Sequence, residues 1–141
     1  MRKKLIYFGH PVNTYDKELE EFLLNVIKEN FPKYQIENPN QECHKEGYKR
    51  VAKITGKGMD YFYKEVLPLC DAGIFLPFRD GKWGAGVYGE ARKLAEQGCL
   101  IFQINADGVI MLMEDFDGIP VLSVEETRKR IRDEKGASIP Y

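Results

Sequence analysis

Cysteine is scarce in this chain of 141 residues. Cys43, Cys70 and Cys99 are odd in number, scattered and without CxxC spacing, which argues against a disulfide framework and a zinc site. Histidine is scarcer still. His10 and His44 are the only two, and neither stands at ligand spacing from a cysteine, so no metal centre is expected. An excess of charge is missing as well: 21 Lys and Arg face 22 Asp and Glu, for a net charge of -1. That leaves no broad basic face for nucleic acid. Long apolar runs are also absent. The run that follows Met1-Arg2-Lys3-Lys4 stops at Phe8, too short for the apolar region of a signal peptide, and no stretch approaches a membrane span. A cytoplasmic protein with neither a membrane nor a nucleic-acid partner is expected.

What remains is ordinary globular composition, 43% hydrophobic and 30% charged, in a length that suits one domain spanning 1–141. Leu5-Ile6-Tyr7-Phe8, ending at Gly9, reads as a buried first strand. Asn13 or Thr14 can cap the following helix, whose first turn holds Asp16 and Glu18. Leu19, Phe22, Leu23, Val26 and Ile27 recur at helical spacing, and Pro32 marks the end. Residues 34–37 form a weak second strand, followed by the turn-rich Asn38-Pro39-Asn40-Gln41. Residues 42–58, polar and carrying Gly47, Gly56 and Gly58, are expected as a broken helix or loop. Residues 60–69 read as a helix with Tyr61, Phe62, Val66 and Leu69 inward.

A third buried strand covers residues 72–76, and a long loop follows from Pro77 to Gly89. Residues 90–97 read as a short helix closed by Gly98, and residues 100–104 as a fourth strand. Residues 109–113 suggest an extra strand, and residues 120–122 a short last one. Ser123-Val124-Glu125-Glu126 fits a capping box for a helix running to about Lys135. Apolar strands alternating with amphipathic helices indicate an α/β fold with a mainly parallel sheet covered on both faces, preferred order 2-1-3-4-5. In such folds ligands bind beyond the C-terminal ends of the strands.

That rule gathers residues from four segments: Gly9, His10 and Asn13; Asn38, Asn40 and Gln41; Arg79, Asp80 and Trp83 with the glycines ending at Glu90; Asn105 and Asp107. Asp71 precedes its strand, lies at the opposite edge and reads as structural. In Gly84-Ala85-Gly86-Val87-Tyr88-Gly89-Glu90, glycine permits close backbone approach and a helix N-terminus suits an anion. The segment lacks the spacing of a dinucleotide fingerprint. From spacing alone, Glu90 reads as a first-turn glutamate, Tyr7 as a core tyrosine, and Trp83 as a core cover or a base-stacking group.

Three motifs carry a resemblance: Ile6-Tyr7-Phe8-Gly9; Cys70-Asp71-Ala72-Gly73-Ile74-Phe75; and the glycine-rich stretch ending at Glu90, with Ala95 and Gly98 after it. The chain resembles the nucleoside 2-deoxyribosyltransferase superfamily, which includes deoxynucleoside monophosphate N-glycosidases. The resemblance implies a flavodoxin-like (Rossmann-like) three-layer fold with five strands. It implies cleavage or transfer of the N-glycosidic bond of a nucleoside or nucleoside monophosphate, with Glu90 as nucleophile and Tyr7 orienting it. A carboxylate traps the oxocarbenium-like centre, and water or a new base resolves the ester. Tyr63 stands where the family has a second acidic residue, so Asp60, one turn earlier, is expected as the acid, with Asp80 the alternative. Trp83 or Phe8 would stack on the base, Asn40 and Gln41 would read its edge, and Gly9, His10, Asn38, Gly84 and Gly86 would complete the binding site. No cofactor is expected. A homo-oligomer is implied, with the tail Ile139-Pro140-Tyr141 reaching across to a neighbour. The alternative function is a non-catalytic nucleotide-binding sensor; a flavin-binding protein using Trp83 is a third reading.

Overall fold

The computed structural model describes residues 2–141. Its strands are β1 (Lys4–Gly9), β2 (Tyr34–Glu37), β3 (Ala72–Phe75), β4 (Leu100–Ile104) and β5 (Ile110–Met113). The helices are α1 (Glu18–Asn30), α2 (Glu42–Thr55), α3 (Ala85–Glu96) and α4 (Val124–Ile131). The strands form one sheet in the order β2-β1-β3-β4-β5, parallel except for antiparallel β5. This is the expected α/β arrangement and strand order.

Alternation along β1 and β3 splits the core in two. Ile6, Phe8, Ile74 and Leu76 point to one face and pack with Leu23 and Ile27 of α1. Tyr7 and Phe75 point to the other and pack with Phe62, Val66, Ala91 and Leu94. Helices therefore cover both faces, and the loops after β1, β2 and β3 meet at one edge. At the opposite edge Asp71 accepts the Leu5 N–H at 2.8 Å and holds the Arg2 guanidinium with both oxygens, the structural role expected of it.

Several elements differ from expectation. Residues 42–55 form a regular helix, α2, rather than a broken one. Its buried positions are His44, Gly47 and Val51, so its inward stripe holds one aliphatic residue and is nearly invisible to hydrophobic periodicity. Gly56 ends it in the left-handed conformation at φ 77°. Residues 60–69 are not one α-helix: Phe62–Val66 form a π-turn and Leu67–Leu69 a 3-10 turn. Leu69, expected inward, is exposed. α3 starts five residues earlier than expected, because Thr127 of α4 caps it by accepting the Ala85 N–H at 2.9 Å. That tertiary cap has no local sequence signal. Residues 120–122 make only a single bridge, Val121 to Trp83. α1 begins at Glu18, leaving Asn13 and Thr14 in a 3-10 turn and Asp16 at φ 62°. Ser123 and Glu126 form the expected capping box, but α4 stops at Ile131. The residues after it fold back onto their own chain: the Asn13 amide donates to Ile139 O at 2.8 Å and the Tyr141 hydroxyl to Pro77 O at 2.5 Å. Within the chain the tail thus packs on the loops after β1 and β3. No helix of the described residues is long and apolar enough to cross a membrane.

A β-carbon at Gly47 would run into the Tyr61 ring. Gly47→Ala should therefore lower stability by about 1–3 kcal/mol in chemical denaturation, although Ala is favoured over Gly in a helix by roughly 1 kcal/mol. A stabilised variant would contradict this packing.

Candidate functional site

Between the C-terminal ends of β1 and β3 lies a cavity of about 490 Å³. Four elements wall it. β1 and its loop bring Tyr7, His10, Val12 and Tyr15; α2 brings His44, Lys45, Tyr48 and Lys49; α3 brings Gly86, Val87 and Glu90; α4 brings Thr127 and Ile131, with Arg132 just beyond. Met59, Phe62 and Phe78 complete an apolar, aromatic lining.

Glu90 lies in the second turn of α3, only 6% exposed, and is the one carboxylate among the described residues lining the cavity. The Tyr7 hydroxyl donates to its Oε2. Burial raises the Glu90 carboxyl to about 8, against the opposing pull of the Tyr7 hydrogen bond. Burial, followed by the Glu90 charge, pushes the Tyr7 phenol well above its ordinary value, so it stays a donor. Gly9 makes room for the pair: a β-carbon there would overlap the Phe75 ring and stand 3.3 Å from Glu90 Oε1. A carboxyl in such surroundings can donate a proton while neutral, or attack an electrophilic carbon once ionised.

Each histidine is held through both ring nitrogens. His10 meets Phe8 O at 2.9 Å and Glu20 Oε2 at 2.7 Å, and its ring lies flat on the Phe8 ring at 4.0 Å between centroids. His44 meets the Tyr61 hydroxyl at 2.8 Å and, through Nε2, Glu37. At the cavity mouth stand the exposed cations Lys45, Lys49 and Arg132. The ion pairs of the described residues lie elsewhere, which leaves these three for a ligand.

Of the residues expected at the site, the structure brings together Tyr7, His10, Gly84, Gly86 and Glu90 in the cavity wall, with Gly9 behind Glu90. Others fall outside. Asp60 does not line the cavity; its carboxylate stands 3.8 Å from Lys64. Asp80 binds Arg130 with both oxygens, at 2.9 and 2.7 Å, and that guanidinium holds its carboxyl down to about 2. Trp83 is enclosed beside Phe75 and Tyr88, so it offers no face to a base or a flavin. Phe8 is buried on the opposite face of the sheet. Asn38 accepts the Asn40 N–H in its own turn, and Gln41 donates to Asn38 O. Asn40 donates to Asp16 and Glu20. From that loop it is Pro39 that reaches the cavity.

Sequence reasoning missed the α2 wall, because residues 42–58 were expected as irregular. Read as a helix, His44 and Tyr48, and Lys45 and Lys49, are pairs at i, i+4 on adjoining faces. Tyr15 and the end of α4 had no comparable signal, since their place depends on how distant segments pack.

The Glu90 titration has a consequence for folding. The folded carboxyl keeps its proton to about pH 8, whereas the unfolded one releases it near 4.5. Between those values the folded state binds more protons, so its stability falls as pH rises, by up to ~1.4 kcal/mol per pH unit. Glu90→Gln removes this dependence. In parallel denaturation from pH 5 to pH 9, the variant should gain on wild type up to about pH 8 and then hold a constant lead; parallel curves would contradict the burial.

Comparison of the chain with protein-family models, with curated proteins and with solved structures finds no match.

Proposed function

We propose that the cavity takes a nucleoside monophosphate and that Glu90 cleaves or transfers its N-glycosidic bond. The observation that carries this reading is a lone carboxyl at the floor of an aromatic cavity with three uncommitted cations at its mouth. The aromatic walls suit a base and the carboxyl suits the anomeric carbon of a pentose. Lys45, Lys49 and Arg132 suit a phosphate, which favours the nucleotide over the nucleoside. The ionised Glu90 attacks the anomeric carbon, the C–N bond electrons leave with the base, and water or a second base displaces the resulting ester. Tyr7 fixes the carboxyl through its second oxygen. The sheet order and the helices on both faces agree with a flavodoxin-like, three-layer fold. The resemblance of the Tyr7, Asp71 and Glu90 motifs to nucleoside 2-deoxyribosyltransferases and deoxynucleoside monophosphate N-glycosidases supports the same reaction. A cytoplasmic setting and a homo-oligomeric assembly belong to this proposal.

A second reading, a nucleotide sensor without chemistry, is favoured by one observation. Among the described residues no second carboxylate lines the cavity opposite Glu90, and Asp60 lies outside it.

Free-base release from a panel of nucleosides and deoxynucleoside monophosphates, run beside Glu90→Ala, separates the two. On the enzyme reading, wild type releases base from a monophosphate and Glu90→Ala, still folded, releases none. The rate rises up to tenfold per pH unit until about pH 8, as the carboxylate forms. Lys49→Ala and Arg132→Ala should each erode the preference for the monophosphate over the nucleoside by about three- to tenfold. Undiminished release by Glu90→Ala removes the nucleophile assignment. No release, with a melting temperature raised by nucleotide, establishes the sensor.

A further inference from the structure

Tyr15 lines the cavity yet has no part in holding the fold through its hydroxyl. Its phenol is mostly buried, and the influences on it are burial and the neighbouring carboxyls of Glu90 and Glu20, with no hydrogen bond among them. Tyr7, Tyr15 and Tyr48 are the tyrosines among the described residues lining the cavity; the Tyr7 hydroxyl is taken by Glu90, and Tyr48 is exposed, which leaves Tyr15 as the one mostly buried phenol there without a partner.

The surroundings of Tyr15 are unusually fixed. Its N–H donates to Val12 O at 3.1 Å, closing the 3-10 turn. The next residue, Asp16, is the only non-glycine with positive φ among the described residues, at 62°, a conformation that costs free energy and persists where its surroundings enforce it. Glu20 enforces it: its Oε1 accepts the Asp16 N–H at 3.1 Å, and Asn40 donates to Asp16 Oδ1 at 3.0 Å and to both Glu20 oxygens. Glu20 Oε2 also receives His10, whose ring packs against the Tyr15 ring at 4.8 Å between centroids. Segments from β1, α1 and the loop after β2 are thus tied together around one phenol.

We propose that Tyr15 is a ligand-binding residue whose hydroxyl donates to an oxygen of the pentose lying against Glu90, with His10, Glu20 and Asn40 as its positioning residues. The proposal rests on the nucleotide reading of the same cavity. Burial and the two carboxyls push the phenol far above its ordinary value, so it donates without ionising. It therefore binds rather than supplies a proton.

Tyr15→Phe keeps the ring against His10 and removes only the hydroxyl. Two measurements on the full chain test it: the melting temperature, and calorimetric affinity for dAMP, dCMP, dGMP and dTMP. The expected result is a melting temperature within about 1 °C of wild type and about tenfold weaker binding of whichever monophosphate wild type takes. A fall of about 3 °C or more overturns the proposal whatever the affinity does, because the hydroxyl then has a structural partner. Unchanged affinity at unchanged stability overturns it too and leaves the nucleotide reading standing. If wild type binds none of the four, nor AMP, CMP, GMP or UMP, the nucleotide reading fails and the role of Tyr15 falls with it.

Discussion

The hydrogen bond from Tyr7 to Glu90 ties β1 to α3 beneath the cavity, and much of the surrounding structure accommodates it. A carboxyl taken from water is stabilised in its neutral form, and a single phenol does not offset that fully. Gly9 lets the carboxyl lie close to the strand, beside the buried Phe75 ring. α3 begins early enough to put Glu90 in its second turn, away from the unpaired N–H groups of its first turn. Had the helix begun at Glu90, the residue would have been an exposed partner of the helix dipole. Its placement one turn deeper is what makes it chemically distinctive.

Around that floor the two histidine–carboxylate pairs act as posts. His10 with Glu20, and His44 with Glu37, are each drawn from different elements, so each pair fixes one segment of the wall against another. For Glu20, burial alone would raise the carboxyl; hydrogen bonds from His10, Asp16 and Asn40 outweigh it and keep Glu20 below the usual range. Two carboxyl environments thus stand on either side of Tyr15: Glu20, outside the cavity lining and saturated with donors, and Glu90, in the lining and nearly without them. Burial raises both carboxyls; at Glu90 the single opposing hydrogen bond from Tyr7 does not offset it, whereas at Glu20 the hydrogen bonds from His10, Asp16 and Asn40 do.

The sheet was legible in the sequence because its signal is local: short apolar runs at 5–8, 72–76 and 100–104 bounded by Gly, Pro and Asn. The edge at which His10 and Glu90 meet followed from strand order, whereas Tyr7 read from spacing as a core tyrosine and joined the site only through the resemblance. Less legible was whatever depends on tertiary partners. α2 buries a histidine and a glycine where periodicity looks for aliphatics. α3 takes its cap from Thr127, 42 residues away along the chain. Asp80 and Trp83 had the right residue types and the right loop, but an arginine on α4 claims the first and the core encloses the second. Residue type and loop membership located the site; they did not say which side chains of the loop face it.

What the structure requires above all is a Glu90 that keeps its proton near neutral pH at the floor of the cavity. Its most direct test is a pH titration of the glutamate side-chain carboxyls by ¹³C NMR, with Glu90→Gln identifying the Glu90 signal. A single carboxyl resonance, absent from the variant, should titrate at about pH 8 while others move in the ordinary carboxylate range. If the Glu90 signal instead titrates between about pH 4 and 5, the carboxyl is in contact with water, and the buried floor beneath the cavity does not exist.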